Sequence, residues 1–207
     1  MRLIVENLAC ERGGRRVLSG VEFSLESGQA LVVTGANGVG KSSLIRVIAG
    51  LVAPAAGHIR LEGGMAERTP PEHCHYFGHL DALKPALSVR ENLDFWAAFL
   101  APTEGGGLRR AASLVDALET LGIAHTLDLP AAYLSAGQRR RLALARLLVV
   151  PRPIWLLDEP SSALDAASEA TLAELMTAHL AAGGMIVAAT HQELALPSVL
   201  DLRLEAE

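Results

Sequence analysis

The sequence predicts an α/β fold with a block of helices set into it, and three observations carry that reading. Ala30-Leu31-Val32-Val33-Thr34 is a continuous apolar run that stops at glycine, as a strand buried on both faces of a parallel sheet does. Two further apolar runs, Ile154-Trp155-Leu156-Leu157 and Met185-Ile186-Val187-Ala188-Ala189, come late in the chain. Between 80 and 148 the strand signal nearly vanishes, and apolar residues recur at helical spacing. With 207 residues the chain has the length of one domain. The expected organisation is an α/β core of residues 1–79 and 149–207 and a helical subdomain of 80–148.

The elements follow in order. Leu3-Ile4-Val5 and Val21-Glu22-Phe23-Ser24-Leu25 read as strands, punctuated by Gly13-Gly14 and Gly20. Residues 41–49 read as a helix, with Leu44, Ile45, Val47 and Ile48 as its apolar stripe and Gly50 as its stop. Residues 89–100 and 108–121 are helical, separated by a loop holding Pro102 and Gly105-Gly106-Gly107. A helix over 138–150 ends at Pro151 and Pro153. Another spans about 167–182 before Gly183-Gly184, and a last strand lies near 199–204.

Composition narrows the function. Half the residues are apolar and 20% are charged, which excludes a disordered chain. A net charge of −5 argues against a globally basic nucleic-acid binder, so no nucleic-acid partner is expected. No apolar run is long enough to span a bilayer; the run over 142–150 is short and broken by Arg146. The first seven residues do not read as a secretory leader. Cys10 and Cys74 make neither a disulfide framework nor a metal box and read as two reduced thiols. His73-Cys74-His75 reads as an incidental loop grouping rather than a haem or metal site.

Three stretches carry chemistry. Gly35-Ala36-Asn37-Gly38-Val39-Gly40-Lys41-Ser42 fits G-x-x-x-x-G-K-[ST], after a buried strand and at a helix start. Glycines let successive backbone N–H groups turn toward a phosphate, and the helix N-terminus adds its dipole. Lys41 then reaches the β- and γ-phosphates of a nucleotide, and the Ser42 hydroxyl binds Mg2+. The run 154–157 delivers Asp158 and Glu159 to the C-terminal end of a strand, where open parallel sheets bind ligands. Such an acidic pair in isolation is a solvated turn. Downstream of a phosphate loop, Asp158 reads as the aspartate of the Mg2+ shell and Glu159 as the base for the attacking water. Leu134-Ser135-Ala136-Gly137-Gln138 opens the helix over 138–150, where Ser135 taken alone is an N-cap.

These stretches together resemble the ATP-binding cassette (ABC) ATPases, whose signature is usually Leu-Ser-Gly-Gly-Gln; here Ala136 replaces a glycine. The resemblance implies a P-loop NTPase core with an antiparallel β portion near the N-terminus and an inserted helical subdomain. It implies ATP hydrolysis with Mg2+, the nucleotide lying on residues 35–42 and Ser43. Ser135, Ala136, Gly137 and Gln138 would face the γ-phosphate held by a second copy, so that a head-to-tail homodimer encloses two ATPs. Ser162-Ala163-Leu164-Asp165 resembles the D-loop, whose Asp165 would lie against the opposite copy. His191, after Thr190, resembles the switch histidine that senses the γ-phosphate, which makes Lys41, Glu159 and His191 the implied catalytic set. The chain would drive separate integral membrane permease subunits from the cytoplasmic side of the inner membrane, as a peripheral subunit. Arg139-Arg140-Arg141 reads as a solvated helix face.

Two departures from the family pattern stand out. Where an aromatic residue usually stacks on adenine, this chain has Cys10-Glu11-Arg12-Gly13-Gly14. Arg12 either stacks its guanidinium plane on the base or stays in solvent while adenine is held by apolar contact. Aligning on Ser88-Val89-Arg90-Glu91-Asn92-Leu93 puts His79 where the family usually has a glutamine. Cys10-Glu11-Arg12, Gly78-His79, Leu-Ser-Ala-Gly-Gln and the short length resemble the ATP-binding subunits of haem-handling transporters in bacterial c-type cytochrome biogenesis. The implied task is powering haem export or release of a haem-loaded chaperone, with haem chemistry left to partners and no direct haem binding. The ATPase of another ABC transporter and a soluble ABC ATPase of iron–sulfur assembly stay open, because substrate choice would lie outside this chain.

Overall fold

The computed structural model describes residues 1–100, 112–191 and 194–205. The loop expected around Pro102 and Gly105–Gly107, and the first residues of the helix expected from 108, lie outside the described residues.

Two sheets form the scaffold. Strands β1 (Arg2–Arg12), β2 (Arg15–Glu26) and β4 (Ala56–Glu62) make an antiparallel sheet in the order β2-β1-β4. The β1–β2 hairpin turns through Gly13-Gly14, both at positive φ, the two-residue turn whose twist matches its strands. The second sheet is parallel, with β3 (Ala30–Thr34), β5 (Cys74–Phe77), β6 (Ile154–Asp158), β7 (Met185–Ala189) and β8 (Val199–Arg203) in the order β5-β6-β7-β3-β8.

The continuous apolar runs follow from burial on both faces. Along β6, Ile154 and Leu156 enter the core shared with β1, β2 and helix α1 (Lys41–Ile48), while Trp155 and Leu157 enter the opposite core. Along β7, Met185, Val187 and Ala189 face the first core, and Ile186 and Ala188 the second. The second core also takes residues from α2 (Val89–Phe99), α3 (Leu114–Thr120), α4 (Ala136–Val149) and α5 (Ala166–Ala181), among them Leu93, Leu118, Leu142 and Leu172. The helical portion therefore shares one apolar core with the parallel sheet.

Sequence reading located β3, β6, β7 and β8 to within a residue or so and missed β4 and β5. In β4, residues alternate between exposed and half-buried, with His58, Arg60 and Glu62 among them. In β5, Cys74 and His75 do not read as sheet interior, yet both are buried. His73, Cys74 and His75 are thus not on an open loop: His73 closes a short 3-10 turn (Pro70–His73) and the other two start a strand. Among the described residues no helix is long and apolar enough to cross a membrane.

Candidate functional site

The loop between β3 and α1 takes its shape from two glycines. Gly35 has φ 138, and a Cβ there would sit 2.4 Å from the Leu204 carbonyl oxygen. Gly40 has φ 112, and a Cβ would sit 2.6 Å from the Val17 carbonyl oxygen. Backbone handedness and close approach of the Leu204 and Val17 backbone both exclude a side chain at these positions. Gly40 also brings no side chain to the N-cap of α1, and the first turn of α1 holds no acid. By contrast α2, α3, α4 and α5 are capped by Ser88, Ser113, Ser135 and Asp165. The orphan N–H groups and positive dipole end of α1 are left for an anion.

That helix end opens onto a cleft of about 250 Å³ lined by Asn37, Gly38, Gly40, Lys41, Ser42, Ser43, Glu159 and His191. Lys41 is only 7% exposed, and its ammonium donates to Gly35 O at 2.9 Å and Ala36 O at 3.2 Å. It lies 3.1 Å from His191 Nε2. An ammonium has no acceptor capacity, so Nε2 is the acceptor in that contact. The Ser42 hydroxyl donates to Asp158 Oδ1 at 2.8 Å. Asp158, the last residue of β6, is buried, and Glu159 follows with φ 49, a left-handed backbone unusual for a side-chain-bearing residue. Its N–H donates to Ala189 O at 2.9 Å, which ties it to the end of β7. Glu159 Oε1 lies 3.6 Å from His191 Nε2.

Three strand ends thus bring together Gly35 through Ser43, Asp158, Glu159 and His191, with Lys41 and His191 in contact although 150 positions apart. Val39, within the loop, is buried. The pair of Ser42 and Asp158 offers hard oxygen donors of the type Mg2+ prefers. No group of three or more His, Cys, Asp or Glu side chains that could hold a metal exists among the described residues. That donor set fits an ion held by one carboxylate, a hydroxyl, substrate phosphates and waters, not one in a closed protein cage.

The remaining candidates lie elsewhere. Ser135 caps α4 by accepting from Gln138 N–H at 3.2 Å, while Gln138 Oε1 accepts from Ser135 N–H at 2.9 Å. Ser135 and Ala136 are exposed, so this helix end points outward. Gly137 lies near Ala163, whose carbonyl oxygen would be 3.6 Å from a Cβ at Gly137; Ala163 itself has φ 65. Asp165 accepts from Ser168 N–H at 2.8 Å, and hydrogen bonding with Ser168 holds its carboxyl below the usual carboxylate range. Arg12 stands exposed at the tip of the β1–β2 hairpin, opposite Arg15. His79 is exposed just beyond β5.

Arg139-Arg140-Arg141 is not a solvated face: Arg140 is 3% exposed, and the other two are half-buried. Arg139 donates to Leu134 O at 2.6 Å and Arg141 to Leu121 O at 3.2 Å. Arg140 donates to Gly78 O and Glu159 O, both at 2.8 Å, and to Asp81 Oδ1 at 3.2 Å. The signal for its burial was the run after it: residues 142–147 are apolar or buried on every side of α4, and a helix apolar all round is enclosed. The histidines and cysteine at 73–75 are all buried. Burial pushes the Cys74 thiol up to about 12 and the His75 imidazole down to about 3, and His75 pairs with Val150 O.

Residues 18–162 match the ABC transporter family. The cytochrome c biogenesis ATP-binding export protein CcmA of Nitrobacter winogradskyi is 58% identical, over 95% of this chain and 94% of the relative. The protein of the same name from Bradyrhizobium diazoefficiens is 58% identical over 96% of each chain. That from Chelativorans is 54% identical over 100% of this chain and 99% of its own. In fold, the chain matches a putative ABC transporter ATP-binding protein from Pyrococcus furiosus with a TM-score of 0.81 at 24% identity, covering 99% of this chain and 98% of that one.

Proposed function

The chain belongs to the ABC transporter family, and from that premise we propose that it is the ATP-hydrolysing subunit that powers haem export, or release of a haem-loaded chaperone, in c-type cytochrome biogenesis. The observation that carries the ATPase reading is the convergence of Lys41, Ser42, Asp158, Glu159 and His191 on one cleft beside the uncapped end of α1. The assignment to cytochrome c biogenesis rests on the named relatives, 54–58% identical over nearly the whole chain.

Within this reading the phosphates of ATP lie on the N–H groups of 35–43. Phosphate oxygens replace Gly35 O and Ala36 O as acceptors for Lys41. Ser42 and Asp158 hold Mg2+, which supplies charge neutralisation to the phosphates when bound. The Glu159 carboxylate takes a proton from a water whose oxygen forms the new bond to the γ-phosphorus, as the bond to the bridging oxygen of ADP breaks. Once Lys41 turns to phosphate, His191 Nε2 is released from it, and in the tautomer that carries the ring proton on Nε2 it donates to the developing phosphate charge.

The outward-facing N-terminus of α4, with Ser135, Ala136, Gly137 and Gln138, suits phosphate supplied from a second copy, and the segment holding Asp165 lies beside it. A head-to-tail homodimer then completes both sites. Membrane permease subunits dock on the helical subdomain of 80–148 and the region of His79, which places the chain peripherally on the cytoplasmic face of the inner membrane. Nucleic acid and haem have no part in this chain's own binding.

The test is a pull-down of tagged Glu159→Gln chain from detergent-solubilised native membranes with MgATP, with partners identified by mass spectrometry. Multi-span cytochrome c maturation subunits and a haem chaperone are the expected partners. A different permease would replace the haem assignment while keeping the transporter ATPase. Soluble iron–sulfur scaffolds alone would overturn transport.

A further inference from the structure

We infer that Arg140 is a positioning residue for ATP hydrolysis, holding the backbone of Glu159 in the geometry that aims its carboxylate into the phosphate cleft and tying that geometry to the 78–81 segment. The inference rests on the function proposed above.

The guanidinium of Arg140 is buried in the middle of the molecule, stacked 3.9 Å over the Phe77 ring. One terminal nitrogen donates to Gly78 O and Asp81 Oδ1 and the other to Glu159 O. Its planar fork thus joins three segments: α4 immediately after Ser135-Ala136-Gly137-Gln138, the turn on both sides of His79, and the residue that bears the water-activating carboxylate. A single ammonium could not span those acceptors in one plane.

Two features argue against a packing role alone. Burial lowers the tendency of Arg140 to stay charged, and its Nε finds no acceptor among the described residues. A leucine or methionine would fill the same volume without desolvating a charge. At the other end, the positive φ of Glu159 is disfavoured for any residue with a Cβ and has to be held by its surroundings. Its N–H is held by Ala189 O, and its carbonyl accepts from Ser162 N–H at 3.2 Å and from Arg140. Of these three, Arg140 is the one that reaches across from another layer of the fold. A displacement of the 78–81 segment therefore pulls on Arg140 and, through it, on the backbone that orients the base.

The experiment compares Arg140→Met and Arg140→Lys with wild type for MgATP affinity and single-turnover hydrolysis, alone and combined with Glu159→Gln. Arg140→Met should keep MgATP affinity within about threefold and lose roughly tenfold or more in kcat, with Arg140→Lys recovering part of the loss. In the Glu159→Gln background, Arg140→Met should cost less than about twofold further, because the group it positions is already gone. If Arg140→Met does not fold, Asp81→Asn, at a partly exposed residue, should show the same split between kcat and affinity and the same non-additivity. Wild-type kcat in whichever variant folds, or an equal fractional loss in both backgrounds, would overturn the inference. Full turnover in Glu159→Gln alone would instead overturn the proposed role of Glu159.

Discussion

Replacing Lys41 with alanine separates a phosphate site from an ordinary helix-capping turn. The ammonium now makes two hydrogen bonds to neutral carbonyls and one to His191 Nε2. Both sets of bonds are charge-assisted, but binding ATP exchanges neutral carbonyl acceptors for charged phosphate oxygens, and the added ion-pair attraction at about 4 Å is roughly 1 kcal/mol at the dielectric of water and about 4 kcal/mol at an effective dielectric of about 20. The midpoint is about 2.5 kcal/mol, so Lys41→Ala should weaken ATP binding by roughly 70-fold. Titration of a fluorescent ATP analogue reads the affinity directly. Thermal unfolding gives a second reading, because a ligand that binds only the folded state raises its stability with the ratio of ligand to Kd. Without ATP the variant should unfold only a few degrees lower, since the carbonyls it leaves are close to solvent. A folded Lys41→Ala protein that binds ATP within about twofold of wild type would refute the phosphate-cradle assignment.

Ser42→Ala removes one of the two oxygens offered to Mg2+ and should abolish most of the gain in ATP affinity that Mg2+ gives over EDTA, leaving metal-free binding nearly unchanged; an undiminished Mg2+ effect would remove Ser42 from the metal site. Gly40→Ala should lower stability by about 1–3 kcal/mol in urea unfolding, because φ 112 and the Val17 carbonyl both oppose a Cβ; wild-type stability would mean the loop can rebuild. The buried His75 sets a pH dependence, because desolvation foremost holds its folded pKa at about 3 against 6.5, with Arg146, Arg152 and His179 adding to the depression and the Val150 carbonyl opposing it. The unfolded chain takes up a proton that the folded chain refuses, so stability present above pH 6.5 is lost as pH falls from 6.5 toward 3. Between pH 7 and 5 that loss is about 2 kcal/mol, and His75→Asn should flatten it whatever the variant's absolute stability; an unchanged slope would assign the effect to other groups.

The legible and illegible parts of this molecule differ by where a residue's partners come from. Strands β3, β6 and β7 are legible because both faces meet apolar cores, so every residue in the run is apolar: Ile154 and Leu156 on one side, Trp155 and Leu157 on the other. Strand β5 escapes because a buried histidine satisfied by a backbone carbonyl looks, in sequence, like any polar residue. The phosphate loop, Asp158, Glu159 and His191 are legible for a related reason. Each sits at the C-terminal end of a strand, and the sheet order β6-β7-β3 converts three separate sequence positions into one rim. Arg140 has no such local logic. Its acceptors lie at Gly78, Asp81 and Glu159, on two turns that the chain brings together only after the sheet and α4 have packed. An arginine in a run of three reads as solvated, and only the all-round apolar character of the helix behind it says otherwise. Motif residues can be found from the chain because their chemistry is tied to an element end. A residue that aligns a motif is defined by the distance between elements, and so becomes visible only in the folded molecule.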